Sequence, residues 1–398
     1  MKTSILIITY NNIGYTKLCI ESIRKYTKRD EYELIIVDNN SSDGTIEWIK
    51  EQQDIKYILN KENLGFPTAC NQGIEIAEKN DILLLNNDII VTTNWLENLK
   101  TCLYSDKTIG AVGAITNSCS NFQAIGAIYD IGNLNDFAKR VNISNEKMWE
   151  ERLRLIGFCM LIKREVLDRV GLLDERFSPG NFEDDDYSLR IRKAGYRLML
   201  CKDVYIHHFG SVSFGKGREK LNELLQTNYN KFQEKWNINY SQLLSIHLDV
   251  PNYIDRGTFE KFSFLEIGCN GGGTLTSIKN KYKNSDLYGV EANKDILINL
   301  NHIGKIASSL DEIIQENNKV KFDYVLLKEI SLEMNLKIIR KIKYHINKGG
   351  KIIIIIHNFN AEIYKAELIK NLLIDFKALC LREYDNGLNK IFIADSLN

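Results

Sequence analysis

Asp81-Ile82-Leu83-Leu84-Leu85-Asn86-Asn87-Asp88-Ile89-Ile90-Val91 decides the reading of the first half of this chain. An apolar run is broken by three polar residues and then resumes. The run predicts a buried strand over Asp81–Leu85. An acid at the end of a core strand is costly unless something pairs with it. A divalent metal carrying a diphosphate would pair with Asp88. A strand-end turn, in which Asn and Asp are favoured, would explain the same residues without a ligand.

The segments around this stretch separate the two readings. Thr3–Thr9 reads as a strand, Tyr15–Tyr26 as a helix and Tyr32–Val37 as a strand. A turn-rich stretch, Asp38 to Gly44, precedes a helix over Thr45–Gln52. Ile55–Leu59 is the next strand and Pro67–Lys79 the next helix. Strand-helix alternation gives a mostly parallel sheet covered on both faces. In open sheets of this kind ligands bind at the carboxyl ends of the strands. Thr9, Asp38 and the Asn86-Asn87-Asp88 triplet all lie at such ends. Downstream come a strand over Gly157–Lys163, a helix over Arg164–Val170 and four carboxylates at Glu183–Asp186. A helix over Tyr187–Ala194 ends at Gly195, a natural C-cap. The strand-like Val204–His207, a Gly/Ser-rich loop and a polar amphipathic helix over Leu221–Trp236 complete this half.

Composition narrows the class. At 398 residues the chain should hold two or three domains. Its 44% hydrophobic content supports full cores, and its formal net charge of zero provides no general basic field for nucleic acid or acidic membranes. Eight cysteines are scattered without a CxxC pair, which suits buried thiols in a reducing cytosol. No stretch approaches the roughly 20 apolar residues of a spanning helix. The expected location is cytoplasmic, with peripheral attachment at the inner membrane face as a variant.

The composition resets near residues 245–260, where Pro251, Asp255 and Gly257 mark a boundary. The expected organisation is a first domain over residues 1–245, a linker over 246–260 and a second domain over 261–398. The second domain alternates again, with strands over Phe262–Ile267, Leu287–Val290, Tyr324–Leu327, Lys351–His357, Ala378–Arg382 and Lys390–Ala394.

Four segments converge in the first half: Thr9-Tyr10-Asn11-Asn12, Val37 to Thr45, Glu62 to Phe66 with Asn71-Gln72-Gly73, and Leu85 to Asp88. In order and spacing they resemble family 2 glycosyltransferases of the GT-A fold. The resemblance continues through Gly157 to Arg164, Val170 to Glu175, Asn181 to Arg190 and His207 to Ser211. It covers roughly the first 240 residues. It implies a pocket for the nucleotide of a UDP-sugar, formed by Thr9, Tyr10, Asn11 and Asp38, with Asp38 accepting from an imide N–H; a loop cap is the alternative for Asp38. Asn71 would reach ribose or phosphate, or serve as a polar residue of its helix. Asn86 and Asn87 would line the donor site. Asp88 would be the main protein ligand of Mn²⁺ or Mg²⁺, whose hard character suits oxygen donors. His208 would be the second ligand, with His207 competing for the role.

Packed carboxylates raise one another's pKa, and acids at a helix start meet the positive end of its dipole. The dipole accounts for Asp185 and Asp186 but poorly for Glu183 and Asp184, which are expected to precede the helix. By resemblance Asp184 is the general base for the acceptor hydroxyl, with Glu183 beside it, and attack opposite the diphosphate inverts the anomeric carbon. Lys216 and Arg218 would close over the diphosphate as a lid, or sit on a solvated basic loop.

In the second half, Phe264-Leu265-Glu266-Ile267-Gly268-Cys269-Asn270-Gly271-Gly272-Gly273 follows a strand and precedes a helix, and Glu291 ends the next strand. This is the context of a nucleotide-binding turn with a ribose-binding acid. It resembles class I S-adenosylmethionine-dependent methyltransferases, a Rossmann-like α/β fold, which implies cofactor contacts from Glu266, Gly268, Gly271 and Glu291. Asn270 replaces the usual middle glycine, and Lys328-Glu329 replaces the common acidic-aliphatic pattern after the fourth strand.

The resulting expectation is an inverting, metal-dependent glycosyltransferase with a methyltransferase-like appendage. N-acetylglucosamine is the first expected donor sugar. The acceptor is a hydroxyl of a bacterial surface glycan or of a surface protein such as flagellin. The rivals are a bifunctional glycosyl- and methyltransferase and a non-catalytic glycan- or nucleotide-binding scaffold.

Overall fold

The computed structural model describes residues 2–210, 218–297, 300, 302–328, 332–357, 378–385 and 389–396. The chain divides into two compact units, Met1–Asn237 and Ile238–Asn398.

The first unit begins with β1 (Thr3–Thr9), α1 (Ile13–Tyr26), β2 (Tyr32–Asp38), α2 (Thr45–Lys50), β3 (Ile55–Leu59), α3 (Phe66–Ile76) and β4 (Asp81–Asn86). It continues with β5 (Ile89–Ile90), α4 (Trp95–Ser105), β6 (Ile109–Ile115), α5 (Leu134–Val141), β7 (Trp149–Arg152), β8 (Cys159–Ile162) and α6 (Arg164–Val170). The last elements are α7 (Glu183–Lys193), β9 (Arg197–Tyr205), β10 (His207–His208) and α8 (Arg218–Trp236). Eight strands form one sheet in the order β3-β2-β1-β4-β8-β6-β9-β7. The four on the β3 side are mutually parallel. On the other side β8 runs antiparallel to both β4 and β6, and β7 antiparallel to β9.

The apolar runs follow from burial on both faces. Ile5, Ile7, Leu34, Ile36, Leu83 and Leu85 pack with Cys19, Ile20 and Ile23 of α1. Their alternates, Leu6, Ile35, Val37, Ile82 and Leu84, pack with Ala69, Cys70 and Ile74 of α3. Side chains alternate along a strand, so two covered faces demand continuous apolar sequence.

Two expectations are corrected. Ile89-Ile90 does not extend β4: β5 leaves the large sheet and pairs antiparallel with β10, placing Ile89 opposite His208 and Ile90 opposite His207. Helix α7 starts at Glu183 rather than Tyr187. Phe182 precedes it in the left-handed region, at φ 75°, so the helix begins directly at the acids. All four carboxylates therefore lie in its first turn, and the dipole bears on Glu183 and Asp184 as well.

The second unit holds α9 (Tyr240–Leu243), β11 (Phe262–Ile267), α10 (Gly273–Lys281), β12 (Ser285–Val290), α11 (Lys294–Leu297), β13 (Lys305–Ala307) and α12 (Leu310–Glu316). Then come β14 (Phe322–Leu327), α13 (Leu332–Ile342), β15 (Ile346–His357), β16 (Ala378–Asp385) and β17 (Asn389–Ser396). Its sheet runs β13-β12-β11-β14-β15-β17-β16, with β17 antiparallel to β15 and β16 and all other pairs parallel. The parallel part follows the doubly wound order, with its switch point between β11 and β14. The stretch expected as a linker, residues 246–260, belongs to this unit: Val250 and Ile254 are buried and Pro251 O accepts from the Tyr282 hydroxyl.

Candidate active site

Asp88 follows β4, and the short β5–β10 ladder brings β10 back beside it. The ladder continues as Phe209 N donates to Asp88 O at 2.9 Å. His208 Nε2 thereby lies 3.2 Å from Asp88 Oδ1, with both side chains largely buried. The other ring nitrogen, Nδ1, is 2.7 Å from Ser118 O, an acceptor, so it carries a hydrogen and donates. Asn117 grips the backbone of the same residue twice: its Oδ1 accepts from His208 N at 2.8 Å and its Nδ2 donates to His208 O at 3.0 Å. The Phe158 ring stacks on the imidazole at 5.5 Å. Burial disfavours a charged imidazole, yet the Asp88 carboxylate more than offsets this and His208 is raised from its ordinary value. His207 faces elsewhere, with Nδ1 2.5 Å from the Tyr129 hydroxyl. The ladder thus distinguishes the two histidines, and His208 is the one beside Asp88.

The pair suits a divalent cation. Two cis ligands of an octahedral ion with bonds of about 2.1 Å lie about 3 Å apart, close to the separation seen here. Among the described residues no group of three or more His, Cys, Asp or Glu side chains is placed to hold a metal. An ion at Asp88 and His208 would therefore take most of its shell from donor oxygens and water.

Asp184 stands next to this pair through two consecutive residues. Gly157 N donates to Asp184 Oδ2 at 3.0 Å, while Phe158 stacks on His208. Of the four acids in the first turn of α7, Asp184 alone is only half-buried. Burial and the Asp185 carboxylate push it up to about 6. The neighbours have other tasks. Asp185 meets the Arg154 guanidinium at 2.5 Å. Asp186 accepts from Arg190 Nε at 2.8 Å and Trp236 Nε1 at 2.9 Å, and pairs with Lys235 at 2.5 Å, tying α7 to α8. Glu183 is buried, with Oε2 lacking a hydrogen-bond partner, and burial together with Asp184 pushes it well above the usual carboxylate range. Arg190 thus pairs with Asp186 along the helix, and Glu183 faces the interior.

The residues expected around the nucleotide divide into open and engaged ones. Tyr10 is exposed at the end of β1. Asn11 Oδ1 accepts from Ser42 N at 2.9 Å and Asn11 N donates to Ser41 Oγ at 2.7 Å, so it shapes the turn after β2. Asp38 is fully buried; its oxygens accept from Thr9 Oγ1 at 2.8 Å, Ser41 N at 2.8 Å and Ser41 Oγ at 2.5 Å. That is a loop-cap arrangement in which Thr9 and Asp38 both take part. Asn71 is engaged with the chain: Nδ2 donates to Leu173 O at 3.0 Å and Glu175 Oε1 at 2.8 Å, and Oδ1 accepts from Leu173 N at 2.9 Å. Its amide holds the segment before α7. Asn87 Nδ2 donates to Thr16 Oγ1 at 3.0 Å, fastening the triplet to α1, whereas Asn86 Nδ2 approaches His208 Nε2 at 3.4 Å. Lys216 lies outside the described residues, and Arg218 is the first residue of α8.

Phe158, Asn117, Ser118 and Arg154 were not identified as site residues from sequence. Asn117 and Ser118 lie in irregular chain after β6, where no periodicity points to them. Phe158 reads as one more apolar residue entering β8.

With this geometry in view, comparisons with known proteins can be set beside it. Residues 4–171 match the model of glycosyl transferase family 2. The putative glycosyltransferase EpsH of Bacillus subtilis is 27% identical over 214 residues, covering 52% of this chain and 60% of that protein. Glycosyltransferase GlyG of Streptococcus pneumoniae is 26% identical over 219 residues, covering 51% of this chain and 67% of that one. An uncharacterised Sinorhizobium fredii protein, y4gI, is 25% identical over 226 residues, and this chain spans a quarter of its length. Among solved structures, mannosyltransferase PcManGT of Pyrobaculum calidifontis, in complex with GDP-Man and Mn²⁺, superposes with a TM-score of 0.43 at 20% identity, covering 58% of this chain and 64% of that one. No described helix is long and apolar enough to cross a membrane. Within the first unit, residues 4–171 are thus similar to glycosyl transferase family 2, and the relatives EpsH and GlyG bear glycosyltransferase names.

Proposed function

We propose that the first unit transfers a sugar from a nucleotide-diphosphate donor to a hydroxyl acceptor with inversion, assisted by a divalent metal at Asp88 and His208. The observation that carries this reading is the junction at Gly157-Phe158. One residue holds Asp184 and the next stacks on His208, so the proposed base and the proposed cation site are held by neighbouring residues. When bound, Mn²⁺ or Mg²⁺ would stabilise the charge that develops on the leaving diphosphate. Asp88 supplies a carboxylate oxygen, and His208, its Nδ1–H held by Ser118 O, presents Nε2 to the same point. Asp184, raised to about 6, is ionised at neutral pH and basic enough to take the proton of an acceptor hydroxyl. The Gly157 amide N–H orients the carboxylate.

A UDP-sugar is the proposed donor, with N-acetylglucosamine as the first sugar to try. The proposed acceptor is a surface glycan or a surface protein such as flagellin. Relatives bearing glycosyltransferase names support the reaction class. The test is donor turnover: incubate the protein with Mn²⁺ and a panel of nucleotide-sugars, and follow nucleotide release beside Asp88→Ala and Asp184→Ala. Release from one donor, absent in the Asp88 variant, supports the reading. Nucleotide binding by neither the wild type nor the variants would replace it with that of a scaffold.

A further inference from the structure

The glycine-rich turn of the second unit sits at the carboxyl end of β11, beside the switch point where doubly wound sheets take their ligands. In a nucleotide-binding turn the glycines let a phosphate or a cofactor approach the backbone at the start of the following helix. Here that space is used by the chain itself. A side chain at Gly271 would collide with Leu243 O, and a Cβ at Gly273 would lie 2.5 Å from Ser245 O. Thr274 Oγ1, in the first turn of α10, accepts from His247 N at 3.1 Å. The carbonyls of residues 243 and 245 thus crowd the amino end of α10, where an anion or cofactor would otherwise lie.

The acids of the turn are equally engaged. Glu291 Oε2 accepts from Asn270 N and Oε1 from Asn293 N, each at 2.8 Å, so both oxygens already serve the chain. Glu266 is fully buried, and Lys328 Nζ, just beyond β14, lies 2.5 Å from its Oε1. S-adenosylmethionine brings a sulfonium cation, and Lys328 supplies this corner with a cation already. Burial and the Lys328 ammonium push His247 down to about 4, which keeps the covering segment neutral next to it. The residues present do not fit the cofactor.

We infer that residues 243–247 are a built-in occupant of the nucleotide turn, and that Lys328 is the fixed counter-ion of Glu266, so that the second unit is a closed structural domain without S-adenosylmethionine binding. Gly271 and Gly273 allow this close passage of the unit's own backbone.

The experiment uses the full chain. Isothermal titration with S-adenosylmethionine and with S-adenosylhomocysteine is expected to show no saturable binding to about 1 mM, roughly a thousandfold above a micromolar site. In parallel, calorimetric unfolding of Gly271→Ala is expected to show one transition moved several degrees down, because the added methyl must displace residues 243–246. Saturable binding of either compound by the wild type would overturn the inference. A Gly271→Ala variant unfolding like the wild type would overturn it too, since an empty turn has room for a methyl group. Neither result depends on glycosyl transfer by the first unit.

Discussion

Two buried acids, one in each unit, sit at comparable places and have opposite partners. Asp88 follows a central strand of the first sheet, and Glu266 is near the end of a central strand of the second. Asp88 faces His208 at 3.2 Å, a side chain that can release its proton and offer a lone pair. Glu266 faces the Lys328 ammonium at 2.5 Å, a group with no lone pair to offer a metal while it is paired. A carboxylate beside a titratable nitrogen can exchange the proton for a metal. A carboxylate beside a buried ammonium cannot, because removing either charge strands the other. On the proposed reading the same sheet logic supports a reaction centre in one unit and a closed contact in the other, and the partner residue makes the difference.

The sharpest way to break the comparison starts with the base. Asp184→Asn keeps the shape and removes the basicity, so kcat should fall about 10²–10⁴-fold, the usual contribution of general base catalysis, while donor KM stays near the wild-type value. The pH profile gives the sign. The acting form is the carboxylate, so the wild-type rate should rise with pH and level off above about 6. A steady-state profile lacking that limb, or an Asn variant with full rate, would remove Asp184 from the chemistry.

The second comparison concerns stability. Glu266→Gln leaves the Lys328 ammonium buried and unpaired, at a cost of about 3–5 kcal/mol, readable as loss of the second unit's unfolding transition in calorimetry. The double variant Glu266→Leu with Lys328→Met should recover much of that loss. Asp88→Ala should do the reverse, abolishing turnover while unfolding stays near the wild type. If both acids cost stability alike, the contrast between open and closed pairs fails.

Third, Asn117 should matter through His208. Asn117→Ala removes both bonds that fix the histidine backbone. Weakening the support of a metal ligand typically lowers metal affinity about 10–100-fold. Mn²⁺ titration followed by electron paramagnetic resonance would read this directly in the presence of UDP. Unchanged affinity would leave Asn117 with a purely local loop role.

Much of the frame was legible because the physics is local. The strands over Thr3–Thr9, Ile55–Leu59 and Phe262–Ile267 form with the bounds read from the sequence, because each is rich in Ile, Leu, Phe or Tyr. The Asp88–His208 pairing was legible only as an ordered resemblance, since 120 residues separate the two and no spacing rule reaches that far. The start of α7 was misplaced because nothing in Asn181-Phe182 announces left-handed backbone; both residues adopt it here, at φ 72° and 75°. The region from Val91 to Gly157 holds α4, whose buried Trp95, Leu96, Leu99, Cys102 and Leu103 are a helical stripe that the sequence reading passes over. The contacts of Asn71 and Asp38 were out of reach, because a polar side chain that serves a ligand and one that serves the backbone look alike until their partners are known.

Asn71 offers the smallest effect and a direct check on that last point. All three of its polar contacts are with Leu173 and Glu175, about 100 residues away, in the segment leading to the acidic helix. Two of them satisfy the backbone N–H and C=O of Leu173, which a truncation would leave unpaired in a buried place. Asn71→Ala should therefore cost about 1–3 kcal/mol of stability, measured by urea unfolding of the first unit, with donor KM within about twofold of the wild type. A ligand-binding Asn71 would give the opposite pattern, a donor KM raised about tenfold with unfolding unchanged, because one lost hydrogen bond to a charged diphosphate weakens binding by that order. The two outcomes cannot be confused. They decide whether this polar residue on α3 faces the donor or, like Glu266 in the other unit, is held wholly by the chain.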